Sequence, residues 1–154
     1  MATTGVREID YYLVDYDWCP RGMLDDFFIE KLVRLPSAGT FSVPNIDVSI
    51  SLLPALKNGY FTFGSFNRPN KITQGTLDLW CDVLNSIPTS KMIVGNVSDH
   101  VLQNRLTNDF IKRGVSSDRL IFYPKKSLEN YLELHNEIDL ILDTFPYAGG
   151  TITN

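Results

Sequence analysis

The sequence predicts an α/β fold built on a doubly wound parallel sheet, and three observations predict it. Four short apolar runs recur after residue 59. Between them lie stretches with helical periodicity, and Gly, Pro, Asp, Ser and Thr mark the points where one pattern gives way to the other. Right-handed crossovers then favour the strand order 3-2-1-4, which makes the first and fourth strands neighbours. Residues just after Phe66 and just after Asp143 would therefore line one crevice, the place where open α/β sheets bind ligands.

Each element has a local reason. Ile9, Tyr11 and Leu13 alternate with Asp10, Tyr12 and Val14 as in a strand, and Trp18-Cys-Pro-Arg-Gly22 breaks that run. Lys31-Leu-Val-Arg-Leu-Pro36 is a second apolar stretch, closed by Pro36. Residues 37–58 are rich in Ser, Pro, Asn and Gly and read as a linker, with Leu52, Leu53 and Leu56 fit for one helical turn. Tyr60-Phe-Thr-Phe-Gly-Ser-Phe66 is continuous, as a strand buried on both faces would be. Thr73 can cap a helix with Leu77, Trp80, Cys81 and Leu84 on one face, stopped by Pro88. Lys91-Met-Ile-Val-Gly95 is the second strand of the sheet. Asp99 can cap a helix with Leu102, Leu106 and Phe110 in register, ended by Gly114. Arg119-Leu-Ile-Phe-Tyr123 is the third strand. Ser127 can cap a short helix carrying Leu128, Tyr131, Leu132 and His135, and Ile138-Asp-Leu-Ile-Leu142 is the fourth strand.

Bulk properties exclude several classes. With 154 residues, 44% of them hydrophobic, the chain can bury one real core. A net charge of −4 gives no general nucleic-acid footprint. No apolar stretch approaches the roughly 18 residues that cross a membrane, and the N-terminus lacks the apolar core of a signal peptide. Cys19 and Cys81 have no metal-type spacing and read as reduced, small hydrophobes. The expectations are a cytoplasmic location, no membrane partner, no nucleic-acid partner and no metal.

Chemistry concentrates on the two sides of the predicted crevice. After the first strand comes Phe66-Asn67-Arg68-Pro69-Asn70-Lys71, where Lys71 supplies a point charge and Arg68 a fork of donors suited to phosphate oxygens. Opposite stands Gly149-Gly150-Thr151-Ile152-Thr153, whose glycines admit close backbone approach and whose threonines offer hydroxyls at the expected start of a helix. Facing each other, they describe a diphosphate site. A solvated loop and a simple threonine cap account for the same residues one at a time. Asp143 reads as the organiser of the turn that follows it. His100 and His135 read as surface or packing residues, since neither has a carboxylate at a partnering spacing. Asp15, Asp17, Asp25, Asp26 and Glu30 form a loose acidic patch without the paired carboxylates of a glycosidase.

Ala55 to Ile72, with its Gly-Ser-Phe-Asn-Arg-Pro-Asn-Lys core, resembles the opening of the C-terminal catalytic lobe of the O-linked N-acetylglucosamine transferase (SPINDLY-like) family. Trp80, Ile87-Pro-Thr-Ser90, Arg119-Leu-Ile-Phe122 and Asp139 through Thr153 continue the resemblance, and Ile9–Leu13 with Glu30–Pro36 is similar to the end of the family's N-terminal lobe. It therefore implies residues 1–36 as a remnant of that lobe, 37–58 as a linker, and 59–154 as a nucleotide-sugar-binding lobe, Rossmann-like, of a GT-B glycosyltransferase, incomplete at its C-terminus. The implied reaction moves N-acetylglucosamine from its UDP donor to Ser or Thr of a protein, the UDP-sugar being a substrate and no cofactor being needed. Lys71 matches the lysine that grips the donor diphosphate and is the implied catalytic residue. Thr151 matches a threonine on the β-phosphate, and Lys126 lies in the stretch whose backbone meets the uracil. Three positions depart from the family pattern: Arg68 stands for a Gln or Asn, Tyr131 for a histidine at the uracil, and Ile152 for a second threonine. The implied UDP-sugar contacts are Asn67, Arg68, Lys71, Lys126, Tyr131, Gly149, Gly150, Thr151, Ile152 and Thr153. The aspartate that holds the ribose is implied just beyond Asn154, and the acceptor protein is expected to be read by segments outside the chain. The expected alternative is a non-catalytic nucleotide-binding or assembly module derived from such a lobe; an epimerase of the same architecture is a weaker one. The fourth strand is expected as an exposed edge through which the chain self-associates.

Overall fold

The structure, a computed structural model, describes residues 3–36 and 45–150. The chain divides into two compact units, Met1–Pro44 and Asn45–Asn154.

In the first unit, strands β1 (Tyr11–Asp15) and β2 (Lys31–Leu35) pair in parallel, with Leu13 opposite Val33. The expected alternation is present. Val14 points inward and Tyr12 sits edge-on against Phe28 at 5.2 Å, while Tyr11 and Leu13 on the other face are 59% and 61% exposed. Two of the acidic residues are committed inside this unit and do not form an open patch. Asp25 accepts from Arg34 Nη2 at 2.7 Å, and the same guanidinium donates through Nε to the Cys19 carbonyl at 2.7 Å. Glu30 is buried, and its carboxylate accepts from the Thr3 hydroxyl and the Thr4 backbone N–H, each at 2.7 Å, and from the Thr4 hydroxyl.

The second unit holds a four-stranded sheet, all parallel: β3 (Thr62–Ser65), β4 (Lys91–Val94), β5 (Leu120–Phe122) and β6 (Leu140–Ile141). Their spatial order is β5-β4-β3-β6. This is the 3-2-1-4 order that right-handed crossovers favour, and β3 is buried along its whole length. Helix α1 (Pro54–Asn58) precedes the sheet; α2 (Gln74–Ser86), α3 (His100–Ile111) and α4 (Leu128–Leu134) connect the strands. All three expected caps are in place. Thr73 Oγ1 accepts from Thr76 N at 3.1 Å, the Asp99 carboxylate from Val101 N and Leu102 N at 3.1 and 3.2 Å, and Ser127 Oγ from Asn130 N at 3.4 Å. Past α3, Gly114 adopts a left-handed φ of 87°, which lets the chain reverse.

Leu77, Trp80, Cys81 and Leu84 of α2 pack with Leu106 and Phe110 of α3 against Phe63, Met92 and Val94, which is the face the helical spacing selects. Phe66, Ile93, Leu134 and Ile138 form a smaller core. Burial of its thiol pushes Cys81 up to about 11, as an unreactive core residue should be. Two expectations need correction. On α4 the buried residue is Leu134, with Tyr131 and His135 packed against Phe66 as the spacing suggests, whereas Leu128 is exposed; a helix of two turns does not fix its period well enough for the sequence to choose. The fourth apolar run shrinks to the two-residue β6, with Leu140 and Ile141 51% and 40% exposed, because it lies at the sheet edge with β3 as its one described neighbour. Asp139 N and Leu142 N nevertheless donate to the Thr62 and Gly64 carbonyls at 2.8 Å, so the backbone of residues 139–142 stays in register with β3.

The segment read as a linker is tied down in its described part. Asp139 accepts from Ala55 N at 2.9 Å and Thr62 N at 2.8 Å, while Asn136 accepts from Ser51 N at 3.0 Å and donates to the Ser49 carbonyl at 2.9 Å. Among the described residues no helix is long and apolar enough to cross a membrane.

Two tests follow from the packing. A Cβ placed on Gly64 would lie 2.6 Å from Ile138 Cγ2. Gly64→Ala should therefore cost about 1–3 kcal/mol, and the Gly64→Ala/Ile138→Ala pair should cost less than the sum of its parts in a denaturation cycle. For Glu30, burial raises the carboxyl, but the hydroxyls of Thr4 and Thr3 and the Thr4 N–H outweigh it and hold the group at about 2. A folded-state value below the ordinary 4.5 means a stability contribution present above pH 4.5 and lost as pH falls toward 2. Acid titration followed by tryptophan fluorescence of Trp18 should show that loss, and Glu30→Gln should remove it.

Candidate functional site

Two loops leave the carboxyl ends of the adjacent strands β3 and β6 and meet. The first carries Asn67, Arg68 and Lys71, with Pro69–Lys71 wound into a single 3-10 turn. The second runs from Asp143 to Gly150. Its shape is set by one carboxylate. Asp143 Oδ1 accepts from Asn67 Nδ2, Thr144 N and Gly149 N, each at 2.8 Å, and Gly149 N also lies 3.1 Å from Oδ2. A bond between residues 143 and 149 folds the seven-residue stretch back on itself, as expected of a turn organiser. The Phe145–Pro146 peptide is cis, and the Thr144 hydroxyl donates to the Tyr147 carbonyl at 2.6 Å.

Helix α2 anchors the same loop from below. Trp80 Nε1 donates to the Asp143 carbonyl at 3.0 Å; Thr76 Oγ1 accepts from Phe145 N at 3.1 Å and lies 2.9 Å from the Phe145 carbonyl, which Thr73 Oγ1 approaches at 3.1 Å. Reading the sequence assigns Trp80 to the core and Thr73 to a cap, and both are so; nothing in their spacing signals a second bond to a loop some 70 positions away.

The structure brings Asn67, Lys71, Gly149 and Gly150 together. Lys71 Nζ donates to the Ala148 carbonyl at 2.8 Å, which joins the cationic loop to the glycine turn. Arg68 is exposed beside it, whereas Asn67 is 2% exposed and spends its amide on Asp143. Gly149 is buried and Gly150 half-buried, with open space where a Cβ on Gly150 would lie. Thr151, Ile152 and Thr153 lie outside the described residues.

Lys126 lies in the neighbouring β5–α4 connection and Tyr131 in α4 itself. The Tyr131 ring is edge-on to Phe66 at 5.5 Å and to His135 at 4.8 Å, and burial raises its hydroxyl above the ordinary tyrosine value. His135 is a packing residue, its Nδ1 2.9 Å from the Tyr131 carbonyl and its ring 4.9 Å from Phe66. Since Phe66 directly precedes Asn67, this aromatic group abuts the crevice. Lys126 is exposed, with Nζ 5.7 Å from the Tyr123 ring centre.

A cavity of about 670 Å³ lies elsewhere in this unit, lined by Leu52, Leu53, Leu56, Ile93 and Ile121 with Thr62. Thr62 opens β3, so this hollow lies toward the amino end of that strand, away from the carboxyl ends where α/β sheets bind ligands; its leucines and isoleucines share the walls with Lys57, Asn58, Asn136 and Glu137. The crevice, with a lysine and an arginine at the carboxyl ends of the strands, is the site equipped for an anion. No group of three or more His, Cys, Asp or Glu suited to a metal ion occurs among the described residues.

Comparison with known proteins agrees with the loop motifs. No family model matches the chain. The tomato (Solanum lycopersicum) protein described as "Probable UDP-N-acetylglucosamine--peptide N-acetylglucosaminyltransferase SPINDLY" is 35% identical over 98% of this chain and 16% of its own length. The Arabidopsis thaliana protein of the same description is 34% identical over 98% of this chain and 17% of its own. A solved structure of a mutant Thermobaculum terrenum O-GlcNAc transferase superposes with a TM-score of 0.81 at 33% identity, covering 98% of this chain and 29% of that one. The resemblance to the SPINDLY-like family thus holds along nearly the whole chain, and the α/β fold with it. The chain spans about one-sixth of the length of the curated relatives.

If Thr76 holds the loop as its bonds indicate, Thr76→Val should cost about 1–3 kcal/mol by removing the partner of Phe145 N. Amide exchange at Thr144–Gly149 should quicken while that in α3 stays unchanged.

Proposed function

We propose that residues 59–154 form the donor-binding part of a glycosyltransferase that moves a sugar from a UDP carrier to Ser or Thr of a protein. The observation that carries the reading is the junction of Lys71 with the Ala148-Gly149-Gly150 turn at the carboxyl ends of β3 and β6. It unites a cation with a glycine turn at the switch point of a doubly wound sheet, as a diphosphate requires. The similarity to SPINDLY-type transferases supports the choice of a UDP-sugar over other nucleotides.

In this reading Lys71 turns from the Ala148 carbonyl to the diphosphate, a stronger acceptor because it is charged. As the bond between the anomeric carbon and the β-phosphate oxygen breaks, its electron pair passes to UDP. The acceptor hydroxyl forms the new bond and releases its proton. Positive charge held in place for the departing UDP lowers that barrier. Arg68 adds a second cation, Gly150 leaves room for the phosphate, and Thr151 and Thr153 supply hydroxyls with Ile152 between them. Tyr131 offers a ring to the uracil, with Lys126 beside it. The same proposal covers the GT-B architecture, the cytoplasmic location, the absence of a metal from the donor site and association through the β6 edge.

Isothermal titration with UDP tests it. A folded sample should bind UDP, and Lys71→Ala should weaken binding about ten- to a hundredfold, the loss of a charge-assisted contact of about 1.5–3 kcal/mol. No heat at millimolar UDP in a folded sample would reject the reading. Sugar transfer by a longer protein carrying this sequence, lost with Lys71→Ala, would exclude the alternative of a non-catalytic module.

A further inference from the structure

Resting on the UDP-donor reading, we propose that Asn67 is a positioning residue: its buried amide acts through Asp143 to set the Gly149 turn for the second phosphate of the donor. The loop motif alone makes Asn67 one more ligand contact. Its geometry points the other way. At 2% exposure it presents little surface to a ligand, and its Nδ2 is 2.8 Å from Asp143 Oδ1. Its Oδ1 is buried as well and has no hydrogen-bond partner among the described residues. The side chain therefore makes one described hydrogen bond, and that bond crosses from the β3 loop to the β6 loop.

Asp143 relays the constraint. The oxygen that accepts the Asn67 amide also accepts Gly149 N and Thr144 N, so where Asn67 holds the carboxylate, the turn must follow. Asn67 is itself fixed by its neighbours: Phe66 is wedged among Ile93, Leu134 and Ile138, and its carbonyl accepts from Asn96 Nδ2 at 2.6 Å. The chain of contacts runs from a packed core through one amide and one carboxylate to a backbone N–H beside Lys71. A displacement of even about 1 Å at such a relay is enough to spoil the placement of a phosphate oxygen.

The same geometry states what Asp143 must supply. Oδ1 receives the Asn67 and Thr144 donors and the shorter of the two Gly149 contacts, each at 2.8 Å, so an asparagine that places its carbonyl oxygen there keeps those three bonds without the charge. A positioning role tolerates Asp143→Asn and fails with Asp143→Ala; a proton-transfer or charge-balancing role fails with both.

The test uses the full chain and three variants: Asn67→Leu, Asp143→Asn and Asp143→Ala. Leucine has asparagine's number of side-chain heavy atoms but more volume, and it removes one described bond from a buried position, so Asn67→Leu should fold with a modest fall in Tm. Two readouts are taken, hydrogen exchange at the Gly149 amide and the ratio of UMP to UDP dissociation constants. The wild-type chain should prefer UDP at least tenfold. In Asn67→Leu and Asp143→Ala, Gly149 exchange should rise at least tenfold and the preference should fall below threefold, with UMP affinity unchanged; Asp143→Asn should match the wild type. A residue that merely stabilises the fold would move Tm and leave the ratio alone. Unchanged Gly149 exchange, or an intact UDP preference, in Asn67→Leu overturns the inference and leaves the donor reading standing. A wild-type chain without preference for UDP overturns both, whatever Gly149 does.

Discussion

The Asp143 carboxylate is the constraint on which the site depends. A loop that leaves an edge strand as short as β6 has little sheet to hold it, and glycines at 149 and 150 give its backbone no preference for one shape. One acceptor oxygen collecting an amide from the β3 loop and two backbone N–H groups from its own loop removes that freedom. Helix α2 then adds Trp80, Thr76 and Thr73, so a segment with few apolar contacts of its own is fixed from two sides by hydrogen bonds. The cationic loop is joined to it by Lys71, and the crevice exists because both loops are held at once.

The sheet makes this arrangement available. In the order β5-β4-β3-β6 the chain reverses its direction of travel at β3, and the carboxyl ends of β3 and β6 come side by side although about 75 residues separate them in sequence. Gly64 at the centre of β3 lets Ile138 close over the strand, which seats the smaller core directly under Phe66. Packing on that face and hydrogen bonding at the strand ends are therefore one system: moving Ile138 would shift Phe66, and with it the residue that holds Asp143.

Much of this was legible in the chain. The caps at Thr73, Asp99 and Ser127 and the left-handed Gly114 follow from local chemistry, because each satisfies helix-end groups within a few residues. The buried faces of α2 and α3 follow from periodicity sustained over three turns. Strand order follows from crossover handedness, and facing loops follow from strand order. Asp143 as turn organiser was legible for the same reason, since its partners Thr144 and Gly149 are close in sequence. What was not legible is non-local or too short to show a pattern. Leu134 displaces Leu128 on a two-turn helix. The bonds of Trp80 and Thr73 to a distant loop use side chains whose local roles already explain them, and nothing in the local pattern marks Thr76 or Asn67 for theirs. The ties of residues 49–55 to Asn136 and Asp139 hide in a stretch whose composition reads as linker.

The central claim is that an anion enters between Lys71 and the Gly149-Gly150 turn. The most direct measurement is a map of backbone amide chemical shifts as UDP is added to the folded chain. The account predicts the largest changes at Lys71, Gly149 and Gly150, with smaller ones near Tyr131. Shifts gathered instead around Leu52, Leu56 and Ile121, the lining of the hollow at the other end of the sheet, would contradict it.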